Sequence, residues 1–255
     1  MNYQLYAMSS KLSCRIKLFC DRNGCQTVKI QTIIWDFDGT LLPLAPYDSE
    51  QTLMLYKLDE TVPRPPYIVR AIARLLIGAD RRQMLRKTFK RFYIRLMKGT
   101  PSAVMDQVGR RLSDRISPPD RQTIARLKSE NYRMMVLSCG TADLSERTLT
   151  NAGLGDCFET IAGNRFKISR GLINGMTLHV PNPVDKVRWL NKNGISPDEA
   201  IAVGDGYTDI PLLDWAKISI MMDRTGNKRT KYKHKNYRFI SSTSEILEVL
   251  NAAGV

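Results

Sequence analysis

The sequence has no long apolar run, few histidines and no paired cysteines. No stretch of its 255 residues approaches the roughly 20 apolar residues that cross a bilayer, so no membrane-spanning helix is expected. Met1 to Leu18 mix polar and apolar side chains without the apolar segment and small-residue cleavage site of a secretory leader, so a cytoplasmic protein is expected. The five cysteines, Cys14, Cys20, Cys25, Cys139 and Cys157, are odd in number and irregularly spaced. They form no C-x-x-C pair, which argues against a disulfide framework or a cysteine metal site and leaves reduced thiols as the simplest reading. None is followed by arginine six positions on, which removes cysteine-phosphatase chemistry. The two histidines, His179 and His234, are too far apart in sequence to suggest a local metal pair. No internal repeat or low-complexity tract is present.

Negative charge is also scarce. Lysine and arginine number 39 against 25 acids, a net charge of +14. Such a field favours an anionic partner or substrate without saying which. Much of the excess sits in two runs, Arg81 to Lys98 and Arg224 to Arg238. The first reads as a solvated helix face. The second interleaves Tyr232 and Tyr237 with its cations, so the alternative reading is a protein that binds a polyanion, nucleic acid or a lipid head-group, or a phosphatase acting on one, through its basic faces, although no nucleic-acid fold signature accompanies it.

What is present is an α/β pattern. Val28 to Trp35 clusters its apolar residues as a buried strand does. From Pro43 to Pro119 the pattern turns helical. Ile68, Ile72, Leu75 and Leu76 make one apolar stripe, Leu85, Phe89, Phe92 and Leu96 a second, and Val104, Val108 and Leu112 a third. This block reads as a small helical bundle inserted after the first strand. Ser117-Pro118-Pro119-Asp120 then opens a helix. Short apolar runs at Met134 to Ser138, Thr160 to Ala162, Ala200 to Val203, Ile218 to Met222 and Phe239-Ile240 alternate with helical segments. Such alternation implies right-handed βαβ units and a doubly wound parallel sheet. Phe166 to Val180 reads as an added hairpin. The expected division is an extension over 1–27, a catalytic core over 28–44 and 118–255, and a helical cap over 45–117.

Three of the strand ends carry polar chemistry, where open α/β sheets place their functional crevice. The first is Asp36-Phe37-Asp38-Gly39-Thr40. Two carboxylates that close repel unless a cation or a proton intervenes, which points to a divalent metal. The second is Ser138-Cys139-Gly140, a hydroxyl and a glycine suited to clasping an anion. The third is Gly204-Asp205-Gly206-Tyr207-Thr208-Asp209, whose two carboxylates can face one crevice. Lys186, in Pro183-Val184-Asp185-Lys186, offers the further cation that a cluster of carboxylates, metal and phosphate needs.

Together these four pieces resemble the haloacid dehalogenase superfamily, with its DxDGT motif, hydroxyl residue, lysine and GDxxxD-type motif in that order. The resemblance covers residues 28 to about 250, and the helical insertion looks most like the phosphoserine-phosphatase-like branch. It implies a Rossmann-like core with a helical cap and a Mg²⁺-dependent phosphatase acting on a small phosphorylated metabolite. It implies Asp36 as the nucleophile that becomes an aspartyl phosphate and Asp38 as general acid and base. It implies Asp36, the Asp38 backbone carbonyl and Asp205 as Mg²⁺ ligands. Ser138 and Lys186 would hold the phosphoryl oxygens, with backbone N–H groups from Gly39 and Gly140. Asp209 would orient Lys186 or a metal-bound water. The same aspartate pair also serves phosphomutases. The chain departs from the branch where a glutamate usually follows DxDGT to meet a substrate amine: the nearest acids are Asp48 and Glu50. Tyr207-Thr208 also replace the usual alanine and asparagine of the acidic motif. The resemblance therefore reaches the core chemistry and stops short of the substrate. Which of Glu50, Arg64, Arg70, Arg74 and Arg95 point inward is left to the fold.

Overall fold

The computed structural model describes residues 17–21, 24–28 and 32–252. Two short strands, β1 (Lys17–Asp21) and β2 (Gly24–Val28), pair antiparallel as a separate ribbon. This corrects two expectations. The segment before residue 28 contains paired strands, and Val28 closes this ribbon instead of opening the central strand. The central strand β3 is Thr32–Trp35. Most of the Met1 to Leu18 segment lies outside the described residues.

Seven strands make the main sheet. Beside β3 are β4 (Arg133–Thr141), β5 (Thr160–Ser169), β6 (Leu172–Thr177), β7 (Ala200–Gly204), β8 (Ile218–Met222) and β9 (Arg238–Ile240). Their order is β6-β5-β4-β3-β7-β8-β9. All neighbours run parallel except the β5/β6 edge pair, the added hairpin, which is antiparallel. From β3 the chain moves to β4 on one side and later to β7 on the other. The carboxyl end of β3 is therefore the point where winding reverses, and a crevice opens there.

Alternate strand residues feed two cores, as the two-residue period of a strand requires. Ile33, Trp35, Val136 and Val203 pack into one apolar cluster; Ile34, Leu137 and Ala202 pack into the other. The second cluster is closed by α7 (Pro183–Lys192) and α8 (Ile210–Trp215) through Leu190, Leu212 and Leu213. Helix α7 starts firmly because Asn182 and Asp185 form a capping box. The first cluster is closed by α5 (Pro118–Ser129), α6 (Ala142–Asn151), α10 (Ile246–Ala252) and four inserted helices. Those four are α1 (Ser49–Asp59), α2 (Tyr67–Arg81), α3 (Arg86–Met97) and α4 (Val104–Ser113). A short α9 (Lys228–Lys231) follows β8.

The stripe Val104, Val108 and Leu112 is buried as its period suggests. Of the stripe Ile68, Ile72, Leu75 and Leu76, only Leu76 packs against the core. Helix α2 buries Ala73, Ile77 and Asp80 and leaves Ile68, Ile72 and Leu75 exposed. Likewise α3 buries Phe89, Tyr93 and Met97, and Leu85 lies exposed. Among the described residues no helix is long and apolar enough to cross a membrane.

Candidate active site

Strand β3 stops at Trp35, and the next amide, Asp36, donates to the Val203 carbonyl at 2.8 Å, fastening the acidic loop to β7. The loop then closes on itself: Leu42 N–H donates to the Phe37 carbonyl at 2.9 Å and Gly39 N–H to the Leu42 carbonyl at 2.7 Å. Gly39 has φ +87°, and a Cβ there would lie within 2.6 Å of both Asp205 carboxylate oxygens. Glycine is needed twice over, for the left-handed turn and for the approach of a second acidic loop. The amides expected to meet a phosphate are thus committed elsewhere. Gly39 N–H is spent within the turn, and Gly140 N–H donates to Ser138 Oγ at 3.0 Å. Strand β4 also runs three residues past Ser138, so this buried serine lies within the strand instead of ending it.

Asp36, Asp205 and Asp209 bring carboxylate oxygens within 4.8 Å of one another. Lys186 rises from α7 beneath them with its side chain wholly buried. Its Nζ lies 2.6 Å from Asp36 Oδ1 and 2.6 Å from Asp209 Oδ1. The other oxygen of Asp209 accepts from the amides of Asp205, at 2.9 Å, and Gly206, at 3.0 Å. Asp209 reaches both because position 204 is glycine; a Cβ there would fall 2.6 Å from Asp209 Cγ.

The electrostatics follow from this crowding. Burial, then the charge of Asp209, pushes the Asp36 carboxyl well above the usual carboxylate range despite Lys186. Burial pulls the Lys186 ammonium down, but the charges of Asp209 and Asp36 outweigh it and hold it above the ordinary lysine value. Asp205 is pushed up to about 6 by burial and by Asp209. Lys228 opposes that shift, with Nζ 2.9 Å from Asp205 Oδ2 and 3.0 Å from the Met222 carbonyl. The Cys139 thiol is pushed up to about 11 by burial and stays protonated.

Asp38 faces the inserted helices. Its Oδ1 accepts from Ser49 N–H at 2.7 Å and its Oδ2 from Ser49 Oγ at 2.8 Å, so the first residue of α1 grips both oxygens. Burial raises its pKa and the two Ser49 bonds only partly oppose that. Glu50, next in the helix, is buried and paired: Lys90 Nζ is 2.5 Å away and Thr141 Oγ1 donates at 2.6 Å. Lys90 also donates to the Cys139 carbonyl at 3.3 Å, and the Tyr93 hydroxyl lies 3.2 Å from Thr141 Oγ1. Sequence reading missed Ser49, Lys90 and Tyr93. The one signal near Ser49 was Asp48-Ser49-Glu50-Gln51, an ordinary helix start; Asp48 does cap α1, accepting from Gln51 N–H at 2.7 Å.

A cavity of about 440 Å³ opens over these groups. Asp36, Asp38, Asp48, Glu50, Asp80 and Asp205 line it against Arg81 and Arg86, so the basic chain carries an acidic pocket. Of the residues whose direction the sequence left open, Glu50 lines the cavity, whereas Arg70 and Arg74 turn to Asp59. The C-terminal basic run is partly spent as well: Lys228 holds Asp205, and Lys235 lies 2.6 Å from Asp214.

Asp48 has no ion-pair partner among the described residues, and burial followed by the Asp38 charge raises its pKa well above the usual value. A raised carboxyl costs nothing below the unfolded-state pKa, and its cost grows as pH rises through the folded value. Asp48→Asn keeps the helix cap and removes that cost. Its melting temperature is therefore expected to exceed wild type near about pH 8 and to converge with it near about pH 4, as thermal scans across pH would read.

Residues 33–214 match the haloacid dehalogenase-like hydrolase family, and residues 183–250 match a second family of the same description. The chain belongs to the haloacid dehalogenase-like hydrolases. Its similar proteins include phosphoserine phosphatases. It is 24% identical over 197 residues to a phosphoserine phosphatase of Archaeoglobus fulgidus, across 72% of this chain and 56% of that protein. It is 26% identical over 132 residues to a phosphoserine phosphatase of Lactococcus lactis, across 50% of this chain and 58% of that protein. The chain thus spans little more than half the length of these curated relatives. A substrate-bound phosphoserine phosphatase structure superimposes with a TM-score of 0.62 at 19% identity, covering 88% of this chain and 99% of that one.

Proposed function

We propose that this chain hydrolyses phosphomonoesters with Mg²⁺ through an aspartyl-phosphate on Asp36. The observation that carries this reading is the pairing at one cavity of two differently held aspartates. Asp36 has Oδ1 fixed by buried Lys186, which leaves Oδ2 to attack. Asp38 has both oxygens fixed by Ser49, and burial raises its pKa above the ordinary carboxylate value, the direction that a proton carrier needs.

Asp36 attacks phosphorus in line while the bond to the ester oxygen breaks, and Asp38 gives its proton to that leaving oxygen. Asp38, now ionised, takes a proton from water. The water oxygen attacks the aspartyl phosphate, the acyl-phosphate bond breaks, and inorganic phosphate leaves with Asp36 restored as a carboxylate. Lys186 keeps Asp36 oriented and offers positive charge to the phosphoryl oxygens, and the Ser138 hydroxyl offers a hydrogen bond.

The donor set fits a hard divalent cation. Carboxylate oxygens converge, Asp36 and Asp205 both titrate high, and the Lys228 ammonium already stands against Asp205. Asp36, Asp205 and the Asp38 carbonyl would hold Mg²⁺. When bound, it offsets the repulsion between Asp36 and an incoming phosphate dianion. Asp209 is committed to Lys186 and two amides, which suits an orienting role. The helices within 45–117 would serve as the cap that encloses a small phosphorylated metabolite, over a core formed by 28–44 and 118–255.

The test is turnover of p-nitrophenyl phosphate and of a panel of phosphorylated metabolites, with Mg²⁺ and with EDTA. Activity that requires Mg²⁺ supports the reading; an inert or EDTA-insensitive protein overturns it. Lys228 supplies a second check. Lys228→Met removes a tethered cation that competes for Asp205, so calorimetry is expected to show Mg²⁺ binding tightened by about threefold or more.

A further inference from the structure

Helix α2 carries a second apolar face besides the one it buries. It packs Ala73 and Ile77 inward, yet leaves Ile68, Ile72 and Leu75 exposed by 68%, 43% and 75%. Spacings of four and three residues set the three on one face. Tyr67 at the helix start and Met84 and Leu85 at its far end extend the apolar surface. The far end is held in strain: Gln83 and Leu85 have φ of 60° and 56°, where neither side chain is comfortable. Strain of this kind persists where the surroundings impose it, often at sites of function. Here it presents Met84 and Leu85 to solvent between Gln83 and Arg86, two residues of the cavity wall.

The charge carried by α2 and α3 themselves is nearly all of one sign. From Tyr67 to Lys98 the chain has ten lysines and arginines and a single acid, Asp80, which is buried. Helix α3 packs against α2 and exposes Lys87, Arg91 and Arg95 at four-residue spacing. With Arg82 and Lys98, these have no ion-pair partner among the described residues. A soluble partner helix would need only the apolar stripe. Asp59 takes up Arg70 and Arg74 on one flank of α2; the other flank, toward α3, sets an apolar stripe beside unpaired cations, which fits an anionic surface with an apolar interior.

We propose that α2, the α2–α3 turn and the basic face of α3 form a docking surface for an anionic lipid bilayer. Ile68, Ile72 and Leu75 would enter the interface while the cations meet headgroup phosphates. The cavity mouth would then lie at headgroup level. This docking does not depend on the catalytic reading, because the residues that carry it are separate from the two aspartates.

The test is sedimentation of the full chain with vesicles of phosphatidylcholine alone or with about one-third phosphatidylglycerol. Binding to the anionic vesicles is expected to be at least about tenfold stronger, and to weaken as salt is raised. The triple substitution Ile68→Ser, Ile72→Ser and Leu75→Ser is expected to lower it by about tenfold or more with an unchanged circular-dichroism melting curve. Should that variant melt early, Ile68→Trp gives an independent reading: its emission should shift to shorter wavelength on adding anionic vesicles. No preference for anionic vesicles, or full binding by a folded triple variant, would overturn the proposal. So would a dimer in light scattering that the triple substitution dissolves, since a second copy would then cover the face.

Discussion

Asp36→Asn is expected to lower kcat for p-nitrophenyl phosphate by roughly 10³-fold or more, because a neutral amide cannot form the acyl phosphate. The loss should come without unfolding. The Asp36 charge is costly where it sits, buried and close to Asp209 and Asp205, and Lys186 offsets this only in part. Replacing it with an uncharged isostere removes that cost and leaves Lys186 its second partner, Asp209, at 2.6 Å. The melting temperature without divalent cation is therefore expected to equal or exceed that of wild type. Steady-state kinetics and a thermal scan on one preparation check both halves. Wild-type-like turnover in the variant would sink the mechanism. A trapped phosphoenzyme in wild type that is missing from the variant would locate the covalent step.

Lys186→Met has the largest expected effect on stability. The lysine is wholly buried between two buried carboxylates, so its removal leaves two like charges facing each other in a low dielectric. Breaking a buried ion pair in this way costs roughly 3–5 kcal/mol, which for a chain of this size lowers the melting temperature by about 6–20 °C. The companion change Asp209→Asn tests the cause. It removes one of the stranded charges, so the double variant should recover part of the lost stability and none of the activity. Simple additivity of the two losses would show that Lys186 does not act through Asp209.

How far the chain could be read in advance depended on the range of each interaction. The acidic loop after β3 and the Gly204 to Asp209 loop were legible because each is a short motif at a strand end, and Lys186, in the first turn of α7, because its place in the motif order singles it out. Their convergence follows from βαβ winding, which brings the carboxyl ends of β3, β4 and β7 together. Ser49 was not legible. It grips Asp38 from the first turn of α1, and nothing local distinguishes it from any helix-start serine. Glu50 was noticed only as a nearby acid; that it is neutralised by Lys90, 40 positions on, is a fact of packing between α1 and α3. The Gly39 and Gly140 amides misled for a similar reason. A glycine at a strand end suggests an open N–H, yet Gly39 N–H is satisfied within its own turn and Gly140 N–H by Ser138 within β4, and Gly39 is required for space.

Helix α2 shows where periodicity alone runs out. The pattern at Ile68, Ile72 and Leu75 correctly predicts a helix, but a stripe does not say which side the core is on. Ala73 and Ile77 allow close packing against the neighbouring helices, and Asp80 meets Gln51 at 2.9 Å and Arg86 at 3.4 Å. These contacts rotate the bulkier aliphatics outward.

By itself, the amino-acid sequence determined the α/β class, the family and which carboxylates and lysine to look for at the site, because these rest on local pattern and on motif order. Only the tertiary structure decided that a strongly basic chain encloses an acidic cavity, and that Ile68, Ile72 and Leu75 of α2 face solvent. Net charge is a sum over the whole chain, whereas a pocket is set by the few side chains that packing turns inward.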